Sequence, residues 1–113
     1  MEINRKNEEG TEVLTVKGEV DASSSIDLDQ AIAGCVQAGA TKILVDCTGL
    51  EYISSAGLGV FMSYVEEFRE KGVRLVIFGL NNRVAHTFSL LGLADLMDIA
   101  ADRAAADSKI HEA

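Results

Sequence analysis

The chain has no proline, only 2 cysteines and far fewer cations than anions, and each shortage narrows what it can be. Without proline, a serine- or glycine-rich linker or an internal repeat, nothing marks a boundary, so residues 1–113 read as one domain. Cys35 and Cys47 lie twelve positions apart with no C-x-x-C pair, which is poor material for zinc or a redox motif. Both are expected to be small buried apolar side chains. Lysine and arginine total 10 against 18 acidic residues, a formal charge of −8, and such a surface repels phosphate backbones and anionic lipid. Neither nucleic acid nor membrane is an expected partner. The longest stretch free of charge and histidine, Tyr52 to Val65, is 14 residues and broken by glycine and serine, short of the roughly 20 that a spanning helix needs. The first residues carry Glu2, Arg5, Lys6, Glu8 and Glu9 and lack the apolar core of a signal peptide, so a cytoplasmic protein is expected.

What is present is an ordinary globular composition, 48% hydrophobic and 25% charged, sufficient for a real core. Ile3 to Lys6 can form a first strand, and Glu8-Glu9-Gly10 turns the chain into a second over Thr11 to Gly18. There Leu14 and Val16 alternate with Thr15 and Lys17, as in a half-buried strand. A polar cluster at Asp21 and Ser23 to Ser25 can cap a helix bearing Ile26, Leu28, Ile32 and Val36. Lys42 to Asp46 and Arg74 to Gly79 are apolar, β-branched runs typical of strands covered on both faces. Between them Leu58, Phe61, Val65 and Phe68 mark a helix that stops at Lys71-Gly72. Asn81 or Asn82 can cap a third helix carrying Val84, Phe88 and Leu91. Met97 to Ala100 reads as a weak strand, and Asp102 to Lys109 as a last helix fraying toward Ala113. The order predicts an α/β fold: a mixed, mostly parallel β-sheet of about four to five strands with about four α-helices.

The segment from Asp46 to Gly59 joins the third strand to the second helix, where α/β proteins tend to place their sites. Ser54 or Ser55 is the expected N-cap of that helix. A hydrolase elbow, G-x-S-x-G, fails at Ile53, and His86 reads as a surface residue of the third helix, with His111 in the tail. Gly57-Leu58-Gly59 begins a dinucleotide fingerprint that Met62 breaks, and no Walker-type loop occurs, so no cofactor is assigned. Asp21, Asp46 and Glu51 match no calcium loop, and no metal is assigned. Val60 and Tyr64, four apart and off the apolar stripe, either present a partner surface or pack under a neighbouring helix.

From about Thr11 to Ala100 the chain resembles the STAS domains, and among them the bacterial anti-sigma factor antagonists. The resemblance rests on Gly18-Glu19-Val20-Asp21, on Leu44-Val45-Asp46 followed by Tyr52-Ile53-Ser54-Ser55-Ala56-Gly57-Leu58-Gly59, and on Asn81, Val84, Phe88 and Gly92-Leu93. It implies a non-enzymatic regulator of transcription that binds an anti-sigma factor serine kinase. Phosphorylation at Ser55 would release that partner, and a serine phosphatase would reset the switch; ATP would belong to the kinase. Where the family's commoner pattern has Asp and then Ser or Thr around the acceptor, this chain has Ser54 and Ala56, which makes Ser54 a competing acceptor. From spacing on the helix, Val60 and Tyr64 together with Asp21 and Ser23 are expected to frame one partner surface around Ser54, Ser55, Ala56 and Gly57. The alternative is a STAS interaction module with no phosphorylation cycle.

Overall fold

A computed structural model describes residues 1–112; the expected fraying at Ala113 lies outside the described residues. The chain opens with a hairpin of β1 (Glu2–Glu8) and β2 (Thr11–Val20), paired antiparallel from Glu2↔Lys17 to Glu8↔Thr11. Its two-residue turn holds Glu9 at φ 54 and Gly10 at φ 89, the pair of positive angles that matches the twist of a tight hairpin. Thereafter strands and helices alternate through α1 (Ser25–Gln37), β3 (Lys42–Ile53), α2 (Ser55–Lys71) and β4 (Arg74–Phe78). They continue through α3 (Asn82–Leu90), the single turn α4 (Leu93–Leu96), β5 (Asp98–Ala100) and α5 (Arg103–Ile110). The strands lie in the order β1-β2-β3-β4-β5, with every pair after the first parallel. This is the expected mixed, mostly parallel α/β architecture, with α4 added to the helices read from the sequence.

Strand order dictates the layering. Crossovers that always step the same way, with one handedness, place their helices on one face of the sheet. Leu28, Ile32 and Cys35 of α1, Leu58, Phe61 and Phe68 of α2, and Val84 and Phe88 of α3 accordingly share a core with Leu14, Val16, Ile43, Val45 and Ile77 of the strands. The other face would be bare but for α5, whose Ala106 and Ile110 cover Val13, Leu44, Val76, Phe78 and Ala100. Thus β2, read as half-buried, is covered on both faces over Thr11 to Leu14. Cys35 and Cys47 are buried in the first core; burial, with Asp46 nearby, pushes the Cys47 thiol up to about 12.

Three expectations need correction. Ile26 (59% exposed) and Leu91 (59% exposed) lie outside the core, because the first turn of α1 and the residue after α3 overhang the sheet and periodicity alone does not show where a helix leaves its support. β3 does not stop at Asp46 but runs on to Ile53, paired with an equally extended β2 through register shifts at Thr15/Lys17 and Gly18/Glu19. Gly49 makes that continuation possible, since a Cβ there would sit 2.8 Å from Lys17 Cγ.

One polar pair was invisible in the sequence. Glu12 is 5% exposed, and its carboxylate accepts from Arg5 Nε at 3.1 Å, Arg5 Nη2 at 3.2 Å and Asn7 Nδ2 at 3.3 Å. The Arg5 bonds hold the Glu12 carboxyl below its usual range, against the opposing effect of burial. Such a group stabilises the fold above the ordinary glutamate range, and that contribution is lost as pH falls through the lowered value. Arg5→Ala should therefore lower stability at neutral pH and raise the Glu12 midpoint. In urea titrations at several pH values, its deficit against wild type should shrink as the solution is acidified.

Candidate functional site

The site is built where β3 gives way to α2. A single residue, Ser54, separates them, with φ −80 and ψ 170, and its Oγ accepts the Gly57 N–H at 3.3 Å while its carbonyl takes the Leu58 N–H at 3.0 Å. Ser54 is therefore the N-cap, the choice the sequence left open, and Ser55 is the first helical residue. Ser54 is half-buried, whereas Ser55 and Ala56 are exposed, and the first turn carries no acidic residue to offset the positive end of the helix. The far end closes on Arg69, Lys71 and a left-handed Gly72 at φ 71, whose N–H, like that of Val73, reaches the Phe68 carbonyl.

Gly57 is fixed by close approach: a Cβ there would stand 2.6 Å from Ile53 Cγ1 and 2.9 Å from Val20 Cγ1, so the start of α2 is pressed onto the ends of β3 and β2. The Ser54 N–H donates to the Val20 carbonyl at 2.8 Å. That bond brings the turn after β2 beside the entry to α2. In this turn Asp21 Oδ1 accepts from the Ser24 N–H at 2.9 Å, Ser23 Oγ at 2.8 Å, Ser24 Oγ at 3.0 Å and the Ser23 N–H at 3.0 Å. The Ser24 amide is foremost among the groups that hold the Asp21 carboxyl down to about 2. Asp21 thus organises its own turn, and Asp46 does the same through the Thr48 N–H and Oγ1 at 3.0 and 2.7 Å. Among the described residues no three His, Cys, Asp or Glu side chains gather to hold a metal ion, and no helix is long and apolar enough to cross a membrane.

Val60 and Tyr64 lie elsewhere than a free surface. Both are half-buried against the first core. The Tyr64 hydroxyl donates to Asp29 Oδ1 at 2.7 Å and its ring lies 5.0 Å from that of Phe68, which ties α2 to α1. Burial and then Asp29 raise its phenol pKa. The open ridge of α2 is instead Ser55, Gly59, Met62 and Glu66, all exposed. Their helical spacing from Ser55 was readable in the sequence, but the apolar stripe drew attention to the other side. Beside this end lies a shallow polar cleft lined by Glu19, Glu51, Tyr52, Asn81, Asn82 and Arg83. Asn81 forms its wall, capping α3 through Oδ1 to the Val84 N–H at 2.8 Å and donating from Nδ2 to the Leu50 carbonyl at 3.2 Å. His86 is exposed on α3.

Two outcomes follow from this geometry. Gly57→Ala should lower stability by about 1–3 kcal/mol through overpacking against Ile53 and Val20, measured by denaturant unfolding. The Asp21 carboxyl should titrate near 2 by NMR, so its turn keeps its stabilising bonds from neutral pH down through the ordinary aspartate range and loses them only as pH falls through about 2. Ser24→Ala, which removes the hydroxyl bond but keeps the foremost amide bond, should raise that midpoint only in part, and an unmoved midpoint would contradict the share assigned to the Ser24 hydroxyl.

Comparison with known proteins bears on the whole chain. The sequence profile of the STAS domain matches residues 2–106. A relative from Listeria monocytogenes named anti-sigma-B factor antagonist is 29% identical over 99 residues, covering 88% of this chain and 86% of its own. A crystal structure of an anti-sigma factor antagonist from Mycobacterium paratuberculosis superposes with a TM-score of 0.86 at 19% identity, over 98% of this chain and 94% of that one. SpoIIAA, described as a Bacillus cell fate determinant and solved in its phosphorylated form, gives a TM-score of 0.72 at 21% identity over 96% and 99% of the two chains.

Proposed function

The chain belongs to the STAS domain family, and from that premise we propose that it is an anti-sigma factor antagonist switched by phosphorylation of Ser55. Unmodified, it binds a kinase-type anti-sigma factor through the surface formed by the Asp21–Ser23 turn and the Ser54–Gly57 entry to α2, and so frees a sigma factor. Phosphorylated, it lets that partner go.

The observation that carries this reading is the division of labour between the two serines. Ser54 uses its oxygen to cap α2, while Ser55 stands exposed at the first helical position, its hydroxyl making no hydrogen bond among the described residues. Ser55 is thus the better acceptor, and Ser54, at the place where the commoner pattern has an aspartate, is committed to the cap. A phosphate on Ser55 adds about −1.5 to −2 charges and three acceptor oxygens at the positive end of a helix, where free N–H groups can hold it without rearranging the domain. Within an interface the same group meets crowding and desolvation. A loss of about 2.7 kcal/mol is enough for a 100-fold weaker complex. The name of the Listeria relative supports the antagonist role, and the phosphorylated SpoIIAA supports a modified state for this fold.

A second reading, an interaction module that is never phosphorylated, is favoured by Ser54 standing where the commoner pattern has the acid. Intact-mass measurement after incubation with the partner kinase and ATP separates the two, since only the first gains one phosphate. Ser55→Ala should keep partner binding and stay unmodified. Ser55→Glu should bind more weakly, yet less so than the phosphoprotein, because a carboxylate carries about one charge. Equal affinities for wild type, Ser55→Glu and phosphoprotein by calorimetry would refute release; a phosphate mapped to Ser54 would refute the residue.

A further inference from the structure

The two edges of the sheet are unlike. β5 is 3 residues long, whereas β1 runs for 7, and among the described residues β2 is its only neighbour in the strand order. Sheets keep their edges from joining others by making them short, by proline or a bulge, by cover or by charge. The length of β5 protects it. β1 has no proline, and its pairing with β2 runs from Glu2↔Lys17 to Glu8↔Thr11 without a bulge. The tight turn at Glu9-Gly10 makes Glu8 and Thr11 the pair that closes the hairpin with hydrogen bonds, and such pairs alternate along an antiparallel ladder. Glu2, Asn4, Lys6 and Glu8 thus direct their backbone groups to β2, while Ile3, Arg5 and Asn7 turn theirs to the open edge. Charge is the protection that remains. Glu2 and Lys6 are exposed and make no ion pair among the described residues, although Glu2 stands opposite Lys17.

We propose that β1 pairs antiparallel with β1 of a second copy, joining the two sheets edge to edge. A two-fold axis normal to the sheet relates two antiparallel strands and makes every contact twice, so the patch is self-complementary and the assembly closes as a dimer. Outward backbone groups must meet outward ones, which leaves only registers centred on a single residue. Centred on Asn4, the axis sets Ile3 against Arg5 as hydrogen-bonded pairs. It sets Glu2 against Lys6 as the closer, non-hydrogen-bonded pairs, with both side chains on one face. Centred on Arg5, it would oppose Glu2 to Glu8 and Arg5 to itself; centred on Lys6, it would oppose Lys6 to itself. A centre at Ile3 overlaps only Glu2 to Asn4 and one at Asn7 only Lys6 to Glu8, whereas the Asn4 register overlaps Glu2 to Lys6. Charge complementarity therefore selects both occupant and register, because the strand carries the acid that its own lysine meets in the second copy. The pairing stands independently of the function proposed above. Its consequence rests on that reading: the axis reverses strand direction, so the two Ser55 entries lie at opposite ends of the joined sheet and each can take a partner.

Sedimentation velocity over a concentration series, on the unmodified chain with nothing added before Met1, should show a dimer of twice 12.1 kDa. Lys6→Glu and Glu2→Lys should each weaken it about tenfold, since each sets like charges opposite one another at both copies of the pair. The double variant exchanges the two charges and should recover the dimer. Both positions are exposed, so circular dichroism should show unchanged folding. Amide exchange followed by NMR identifies the strand: the Ile3 and Arg5 N–H groups should be protected at concentrations where the dimer forms and exchange freely on dilution. A wild-type chain that stays monomeric throughout, a dimer that leaves these two amides unprotected, or one indifferent to both single substitutions overturns the proposal; failure of the double variant to recover overturns the register. Phosphate enters none of these measurements, so failure of the pairing and failure of the switch are told apart.

Discussion

The pairing of β2 with β3 continues to Val20 and Ile53, seven residues beyond Asp46, where β3 parts from the end of β4. This overhang, closed by the Ser54 N–H to the Val20 carbonyl, carries the elements of the candidate site. Gly57 seats α2 on it through Ile53 and Val20, and Asn81 hangs the start of α3 from the Leu50 carbonyl. The Asp21 turn leaves directly from its last residue. Three loops that are far apart in sequence are thereby referred to one rigid ribbon, which is what a surface read by another protein needs.

The same ribbon explains why the sequence revealed the architecture more readily than the site. Lys42 to Asp46 and Arg74 to Phe78 are unbroken apolar runs, and a sheet buried on both faces has no other local signature. Beyond Asp46 the pattern is disguised. Thr48 and Gly49 look like a turn, but Gly49 is there to let Lys17 pass, a demand made by β2 and not by its chain neighbours. The pairing of Arg5 with Glu12 is hidden for a related reason: it crosses a hairpin diagonally, and only the register determines which charged residues meet.

At the site itself, residue types were legible and their duties were not. Two adjacent serines can both cap a helix, and backbone geometry decides that Ser54 does so while Ser55 remains free. Val60 and Tyr64 were set apart by lying off the apolar stripe, yet α1 approaches on that side and Asp29 claims the tyrosine hydroxyl. Helix periodicity measures angle around an axis and is silent about which neighbour fills which sector.

The unbroken strand order has a bearing on how the fold is reached. Every strand pairs with the one before it, so the sheet can grow outward from the β2–α1–β3 unit with a single crossover closed at each step, which keeps the entropy of loop closure small. Among the described residues α5 alone covers the opposite face. A chain with α5 undocked would leave Val13, Leu44 and Val76 facing water together, the kind of exposed apolar surface through which crowded chains aggregate.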